Sequence, residues 1–234
     1  MGLKLYFVLG LVQLSSVLAT GQIPLKCFLQ DFNLFSVLGK ATCSEVPNAN
    51  SLHFGTVIVD STSFNIDGWI HESKNVKYEG LDDAVLDDFG FNFTAKVLQL
   101  TFHTDMVVKY DYKSSGILFS LPVNGEGFAV VAVKNIQVGY TFPFDIKEAD
   151  GKNFIELKSF DYWYDIKDKA DFKFTSLTNK NKELRDAVYE LMNQRWRHLV
   201  THYGKNFYDS LSEKLFTVFK DYVKTLSLKD FAKC

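Results

Sequence analysis

The stretch Leu121-Pro-Val-Asn-Gly-Glu-Gly-Phe-Ala-Val-Val-Ala-Val-Lys-Asn-Ile-Gln-Val-Gly-Tyr-Thr-Phe142 starts at a turn and then runs extended and apolar for far longer than an ordinary strand. Fully extended, residues 127–146 would span about 65 Å. A strand of that length cannot lie flat on a domain of 234 residues and must curl. The alternation slips at Lys134-Asn135. Val131 and Val133 share a face before the slip, and Ile136, Val138, Tyr140 and Phe142 share one after it. One extra residue at a bend has this effect, so a β-bulge is predicted there.

The flanking sequence alternates in the same way. Phe89, Phe91 and Phe93 are separated by polar residues, and Leu98, Leu100, Phe102, then Met106, Val108 and Tyr110 continue the pattern. A strand buried on one face reads like this. Ser114-Ser-Gly116, Asn124-Gly125 and Asp150-Gly151 carry hairpin chemistry, because Gly, Asn and Asp accept positive φ. The prediction is an antiparallel meander with strands over 64–71, 89–95, 97–112, 116–122, 127–146, 153–166 and 169–175. After about residue 180 the period changes. Leu184, Val188, Met192, Trp196, Leu199, Tyr203, Phe207, Leu211, Leu215, Val218 and Tyr222 recur at steps of three or four, the stripe of an amphipathic helix. Asn181 supplies an N-cap and Glu183 an anion in the first turn. A helix over 181–224 would measure roughly 65 Å, with Gly204 marking the place for a bend. The expected fold is α+β: a long C-terminal α-helix wrapped by a highly curved antiparallel β-sheet. If the two apolar faces match, they make a solid core. If the sheet is wider than one helix can fill, they enclose an elongated hydrophobic tunnel.

Hydrophobic residues make up 47% of the chain and charged residues 23%, with a formal net charge of -2. That balance gives neither a nucleic-acid footprint nor a polybasic membrane patch. Lys4, the apolar run Leu5 to Leu14 and Val17-Leu-Ala19 have the anatomy of a secretory signal peptide over residues 1–19. Residues 20–234 then form one exported domain, in which no later segment is apolar enough for stable membrane insertion. In an oxidising compartment Cys27 and Cys43 would close a short disulfide loop, typically worth about 3 kcal/mol. Cys234 is left over and available to pair a dimer. Asn92-Phe93-Thr94 is a glycosylation sequon at Asn92.

Catalytic patterns are lacking: there is no Gly-x-Ser-x-Gly elbow, phosphate-cradling Gly loop or Cys-x-x-Cys pair. His198 and His202 lie four apart, but Leu199 stands where a zinc protease needs Glu, so a solvated helix face is expected. Asp82-Asp83 and Asp87-Asp88 lack the Gly and Glu spacing of a calcium loop. No enzyme activity, metal or cofactor is expected.

Tyr112-x-x-x-Gly116-Ile-Leu-Phe-Ser-Leu-Pro122-Val-Asn-Gly-Glu-Gly127, Lys134-Asn135-Ile136, Asn181-Lys-Glu-Leu184 and Met192-Asn-Gln-Arg-Trp196 occur in order, followed by the aromatic helix. This ordered set resembles the insect takeout and juvenile-hormone-binding protein family over roughly residues 50–225. The resemblance implies the helix-in-curved-sheet fold with a hydrophobic tunnel, and a carrier secreted into haemolymph or another extracellular fluid. It implies a non-covalently bound apolar partner: juvenile hormone or another terpenoid, a fatty acid, or a carotenoid-type polyene. The inward-facing residues become tunnel-lining candidates. On the strands they are Phe64 and Ile66; Phe91 and Phe93; Leu100, Phe102, Met106, Val108 and Tyr110; Phe119 and Leu121; Val131, Val133, Val138, Tyr140 and Phe142; Tyr162, Tyr164 and Phe172. On the helix they are Val188, Met192 and Trp196. Tyr110, Tyr140 and Tyr164 are the candidate head-group handles, with Thr104 and Thr141 behind them. The competing expectation is an extracellular signalling or interaction protein whose tunnel is filled.

Overall fold

Two strands cross the whole molecule, and the others are hung from them. The computed structural model describes residues 51–52, 55–178, 181–225 and 227–228. The signal peptide, Cys27, Cys43 and Cys234 lie outside the described residues. In chain order the elements are β1 (Ser51–Leu52), β2 (Val57–Ile66), β3 (Trp69–Glu79), a 3₁₀ turn (Leu81–Asp83), β4 (Ala84–Asn92), β5 (Val97–Leu118), β6 (Leu121–Pro122), β7 (Gly125–Ala149), β8 (Lys152–Leu157) and β9 (Asp161–Phe174). The helical segments follow: α1 (Lys182–Gln194), α2 (Trp196–His198), a π turn (Leu199–Tyr203) and α3 (Lys205–Thr225). β5 has 22 residues and β7 has 25. They pair antiparallel from Val97↔Pro143 to Ser114↔Gly125. The first half of β5 pairs on its other side with β4 and the second half with β3, which pairs in turn with β2. The outer side of β7 is shared by β9 and β8.

The predicted bulge lies in β7. Asn135 takes φ 52, and the register with both β5 and β9 shifts beside it. Asp105 clamps the kink: Oδ1 accepts from the Asn135 backbone N–H at 2.9 Å and Oδ2 from Lys134 Nζ at 2.7 Å. The Lys134 hydrogen bond, with the Asn135 N–H behind it, lowers the Asp105 pKa. Val133, Ile136, Val138, Tyr140 and Phe142 are all buried, so the slip keeps the apolar side inward around the bend.

Several predicted boundaries need correction. The expected strand 64–71 straddles a hairpin turn at Asp67-Gly68, with φ 51 and 81, so it is the end of β2 and the start of β3. Ser114–Gly116 is not a turn but continues β5. Gly116 has φ +110, and an added Cβ would sit 1.9 Å from the Gly68 carbonyl oxygen, so the glycine serves a close approach of two backbones. The reversal comes at Phe119-Ser120, both in the left-handed region at φ 50 and 67. Asn124-Gly125 leads into β7 rather than turning a two-residue hairpin, whereas Asp150-Gly151 does turn β7 into β8. The predicted strand 153–166 is interrupted between Leu157 and Asp161, while the expected break before 169 lies within β9.

The C-terminal segment is not one continuous helix. Asn181 caps it as predicted, its Oδ1 accepting from Leu184 N at 2.9 Å. Arg195 leaves helical geometry at φ -107, ψ 26, and the π turn follows. A π turn adds one residue to the helical repeat. The buried stripe past it is therefore Leu211, Ser212, Leu215, Phe219 and Val223, and the predicted Val218 and Tyr222 are only half-buried.

Among the described residues β2 and β9 each pair on one side only, and the helical segment bridges between them. On the β2 side, Asn206 donates to the Ser63 carbonyl and accepts from Thr62 Oγ1 through its own carbonyl. On the β9 side, Arg197 donates to the Ile166 and Lys167 carbonyls at 3.3 and 3.2 Å. Tyr162 donates to Asp209 at 2.6 Å, and Tyr164 donates to the Val200 carbonyl at 2.8 Å. The helix thus covers the otherwise open edges of the curved sheet, where unpaired strand groups would invite other chains.

Candidate functional site

The inward face of the sheet and the π turn do not meet completely. Between them lies a cavity of about 60 Å³. Its walls come from β3 (Trp69, His71, Tyr78), from the second half of β5, from β7 before the bulge, from the end of β9, and from the helical segment through Met192, Leu199, Val200 and Tyr203. A second cavity of about 10 Å³ lies beyond the bulge, lined by Phe102, Met106, Ile136, Val138 and Tyr140 among others. Tyr208 is the residue common to both linings. β5, β7, β9 and the helical segment each contribute to both linings.

Among the described residues the cavity wall contains no Lys, Arg, Asp or Glu. Most of its polar atoms are already engaged. Trp69 Nε1 donates to Ser114 Oγ at 2.6 Å, Tyr78 donates its hydroxyl to the Phe207 carbonyl at 2.8 Å, and Tyr203 reaches Asp67 at 3.4 Å. Burial raises the pKa of the Tyr78, Tyr110 and Tyr208 hydroxyls, so all three stay neutral. His71 is different. It is 1% exposed, and neither ring nitrogen has a hydrogen-bond partner among the described residues. Its faces lie against Phe64, with centroids 5.2 Å apart, and Tyr112, 5.6 Å apart, both nearly parallel. Burial pulls its pKa down to about 3, so the ring is neutral at physiological pH.

The sequence-predicted lining residues divide into three sets. Phe64, Val108, Tyr110, Val131, Val133, Phe172 and Met192 line the larger cavity. Phe102, Met106, Val138, Tyr140, Tyr162 and Tyr164 line the smaller one. The others border neither. Phe91 and Phe93 pack edge-on against Phe144, Phe142 stacks on Phe216 and Phe219, and Leu100 and Val188 are buried in the same core. Ile66, Leu121 and Trp196 pack partly buried against it, and Phe119 sits at its turn with the Arg195 guanidinium 5.3 Å from its ring centre. Of the predicted handles, Tyr140 pairs with Ser212 at 3.0 Å, Tyr164 with the Val200 carbonyl, and Thr104 donates to the Gly80 carbonyl at 2.6 Å. Asn92 is exposed, and its Oδ1 accepts from Ala95 N.

Trp69, His71 and Tyr78 are not among the sequence-predicted lining residues. In an unbroken strand 64–71 with Phe64 and Ile66 inward, Trp69 and His71 would point outward; the turn at Asp67-Gly68 reverses that phase, and Tyr78 lies beyond the predicted strand. The signal was present: after the Asp-Gly turn, Trp69, His71, Ser73, Val76 and Tyr78 all point inward, with one slip at Asn75. His198 and His202 stack at 5.1 Å on an exposed surface, with His202 bonded to Asp67. Among the described residues no group of three or more His, Cys, Asp or Glu is placed to hold a metal ion.

Comparison with known proteins agrees with this architecture. The family model described as haemolymph juvenile hormone binding protein (JHBP) matches residues 45–233. The circadian clock-controlled protein daywake of Drosophila yakuba is 24% identical over 166 residues, covering 69% of this chain and 59% of that protein. Its Drosophila melanogaster counterpart is 26% identical over 105 residues, covering 44% and 40%. The chain thus spans less than two thirds of the length of these curated relatives. The crystal structure of Epiphyas postvittana Takeout 1 superposes with a TM-score of 0.72 at 28% identity, covering 74% of this chain and 81% of that one.

Proposed function

The chain belongs to the haemolymph juvenile hormone binding protein family, and from that premise we propose that it is a secreted carrier that holds one long apolar molecule non-covalently between its curved sheet and its helix. The observation that carries this reading is the uncharged cavity opposite the π turn. A packed protein interior has few voids larger than a water molecule, and π turns concentrate at functional sites. The ligand is juvenile hormone or another terpenoid, a fatty acid, or a polyene of carotenoid type. Desolvation supplies the affinity: burying on the order of 400 Å² of apolar surface at about 25 cal/mol per Å² gains roughly 10 kcal/mol before ordering costs. Export through residues 1–19 and glycosylation at the exposed Asn92 belong to the same reading, and catalysis does not.

About 60 Å³ is far less than such a ligand needs. The carrier therefore opens by moving side chains, with Tyr208, common to both linings, the one that must swing for the ligand to occupy both cavities. The small volume also favours the second reading, an extracellular interaction protein with a filled tunnel. Native purification, solvent extraction, mass spectrometry and an absorption spectrum separate them. A carrier yields one stoichiometric apolar molecule, with visible absorbance if it is a polyene. A carrier also changes the fluorescence of Trp69, a cavity wall residue 4% exposed, on titration with terpenoids or fatty acids. No bound lipid and no uptake would refute the carrier reading and leave the interaction protein.

A further inference from the structure

The geometry points to a ligand of one head-group class: an apolar molecule bearing a neutral oxygen, as in an alcohol, ketone or ester, docked on His71 and not an ionised carboxylate. This rests on the carrier reading above and narrows it. A buried polar group without a partner is rare in folded proteins and calls for a ligand, a water or a functional reason. His71, itself a wall residue of the cavity, carries two such atoms among the described residues. Its ring is held in place on both faces by Phe64 and Tyr112. Around its rim stand Tyr110 and Phe174 edge-to-face at 5.8 and 6.1 Å. Aromatic faces are weak acceptors and do not replace a hydrogen bond.

Neutral imidazole offers one N–H donor and one lone pair. A hydroxyl can meet either nitrogen, and a carbonyl can meet the N–H. A carboxylate can accept from the same N–H, but its charge does not fit the surroundings. With no cationic side chain among the described lining residues, its charge would enter an apolar site unpaired. Protonating His71 to supply the missing charge is opposed by the same burial that holds its pKa near 3.

The test uses the full chain and ligands that differ only at the head: dodecane, 1-dodecanol and dodecanoate at pH 7.5, with affinities for the wild type and for His71→Phe. Comparing each ligand between the two proteins cancels its own hydration. Dodecanol should lose about three- to tenfold in affinity on substitution, while dodecane is unchanged or improved, and dodecanoate should bind the wild type more weakly than dodecanol. In the unsubstituted protein, dodecanol but not dodecane should shift the His71 ring ¹⁵N resonances, a readout that does not depend on the variant folding. Equal losses for dodecanol and dodecane, tighter binding of dodecanoate, or unmoved ¹⁵N resonances with bound dodecanol would each overturn the head-group assignment. Failure of all three ligands to bind would overturn the carrier reading instead, and the assignment with it.

Discussion

Replacing glycine by alanine in a helix usually stabilises it by about 1 kcal/mol, and Gly204 has ordinary right-handed geometry at φ -75, ψ -17. Here the sign should reverse. An added Cβ would lie 2.4 Å from the Val200 carbonyl oxygen and 3.3 Å from the Tyr208 ring. The π turn creates this crowding: Gly204 N–H donates to Leu199, five residues back, at 3.2 Å, and leaves the Val200 carbonyl to accept the Tyr164 hydroxyl at 2.8 Å. Overpacking of this kind costs about 1–3 kcal/mol, and losing the Tyr164 bond adds about 1 kcal/mol. After the propensity gain, Gly204→Ala should destabilise by about 2 kcal/mol, lowering Tm by roughly 4–8 °C for a chain of this size. Urea unfolding of the wild type, Gly204→Ala, Tyr164→Phe and the double variant measures it. If the methyl acts by pushing the Val200 carbonyl off Tyr164, Tyr164→Phe should cost about 1 kcal/mol alone and almost nothing in the Gly204→Ala background. A Gly204→Ala protein more stable than the wild type would refute the reasoning, because the segment would then be behaving as a plain α-helix.

Stability should fall on mild acidification through His71. Its pKa is about 3 when folded and near 6.5 when exposed, so between those values the unfolded chain binds the extra proton and folding weakens as pH drops. The slope at full effect is about 1.4 kcal/mol per pH unit, and urea midpoints from pH 7 to 4.5 should be flatter for His71→Phe than for the wild type. Tyr208→Ala should cost about 3–5 kcal/mol as a core truncation, yet join the two cavities and shift ligand preference toward longer chains, read by competition between ten- and twenty-carbon alcohols. Tyr140→Phe and Ser212→Ala each leave one buried hydroxyl without its partner and should cost about 1–3 kcal/mol. The double variant should cost less than their sum, which denaturant titration of the four proteins would show.

Much of the fold is written in local pattern. The alternation of β5 and β7, the slip at Lys134-Asn135 and the change of period after residue 180 each report which side of the chain is buried, and burial is what folds the sheet around the helix. The candidate site is written less locally. By its pattern His71 ends a strand over 64–71, and nothing in the run Trp69-Ile-His-Glu-Ser73 says whether its ring nitrogens find partners. That depends on Phe64, Tyr110, Tyr112 and Phe174, brought together from three other strands. The Phe119-Ser120 reversal carries no Gly, Asn or Asp to announce its positive φ, while the glycine nearby at 116 has a different use.

The π turn shows the limit most clearly. Leu199 and Tyr203 fit the α-helical stripe, and the step to Phe207 fits as well, so the extra residue is invisible until its consequence appears downstream as burial of Phe219 and Val223. Two features hold the π register: the missing Cβ at Gly204, and the hydroxyl of Tyr164, which reaches the Val200 carbonyl from 36 residues away. The first is legible but ambiguous, since a glycine in a helix ordinarily only weakens it. The second comes from the free edge of β9, which exists only once the sheet has curled. The widened turn and the cavity it faces are therefore products of tertiary structure. A relative with the same apolar stripe but no glycine at this position and no hydroxyl on that edge should close the turn into an α-helix, and its cavity wall would be rotated by one residue.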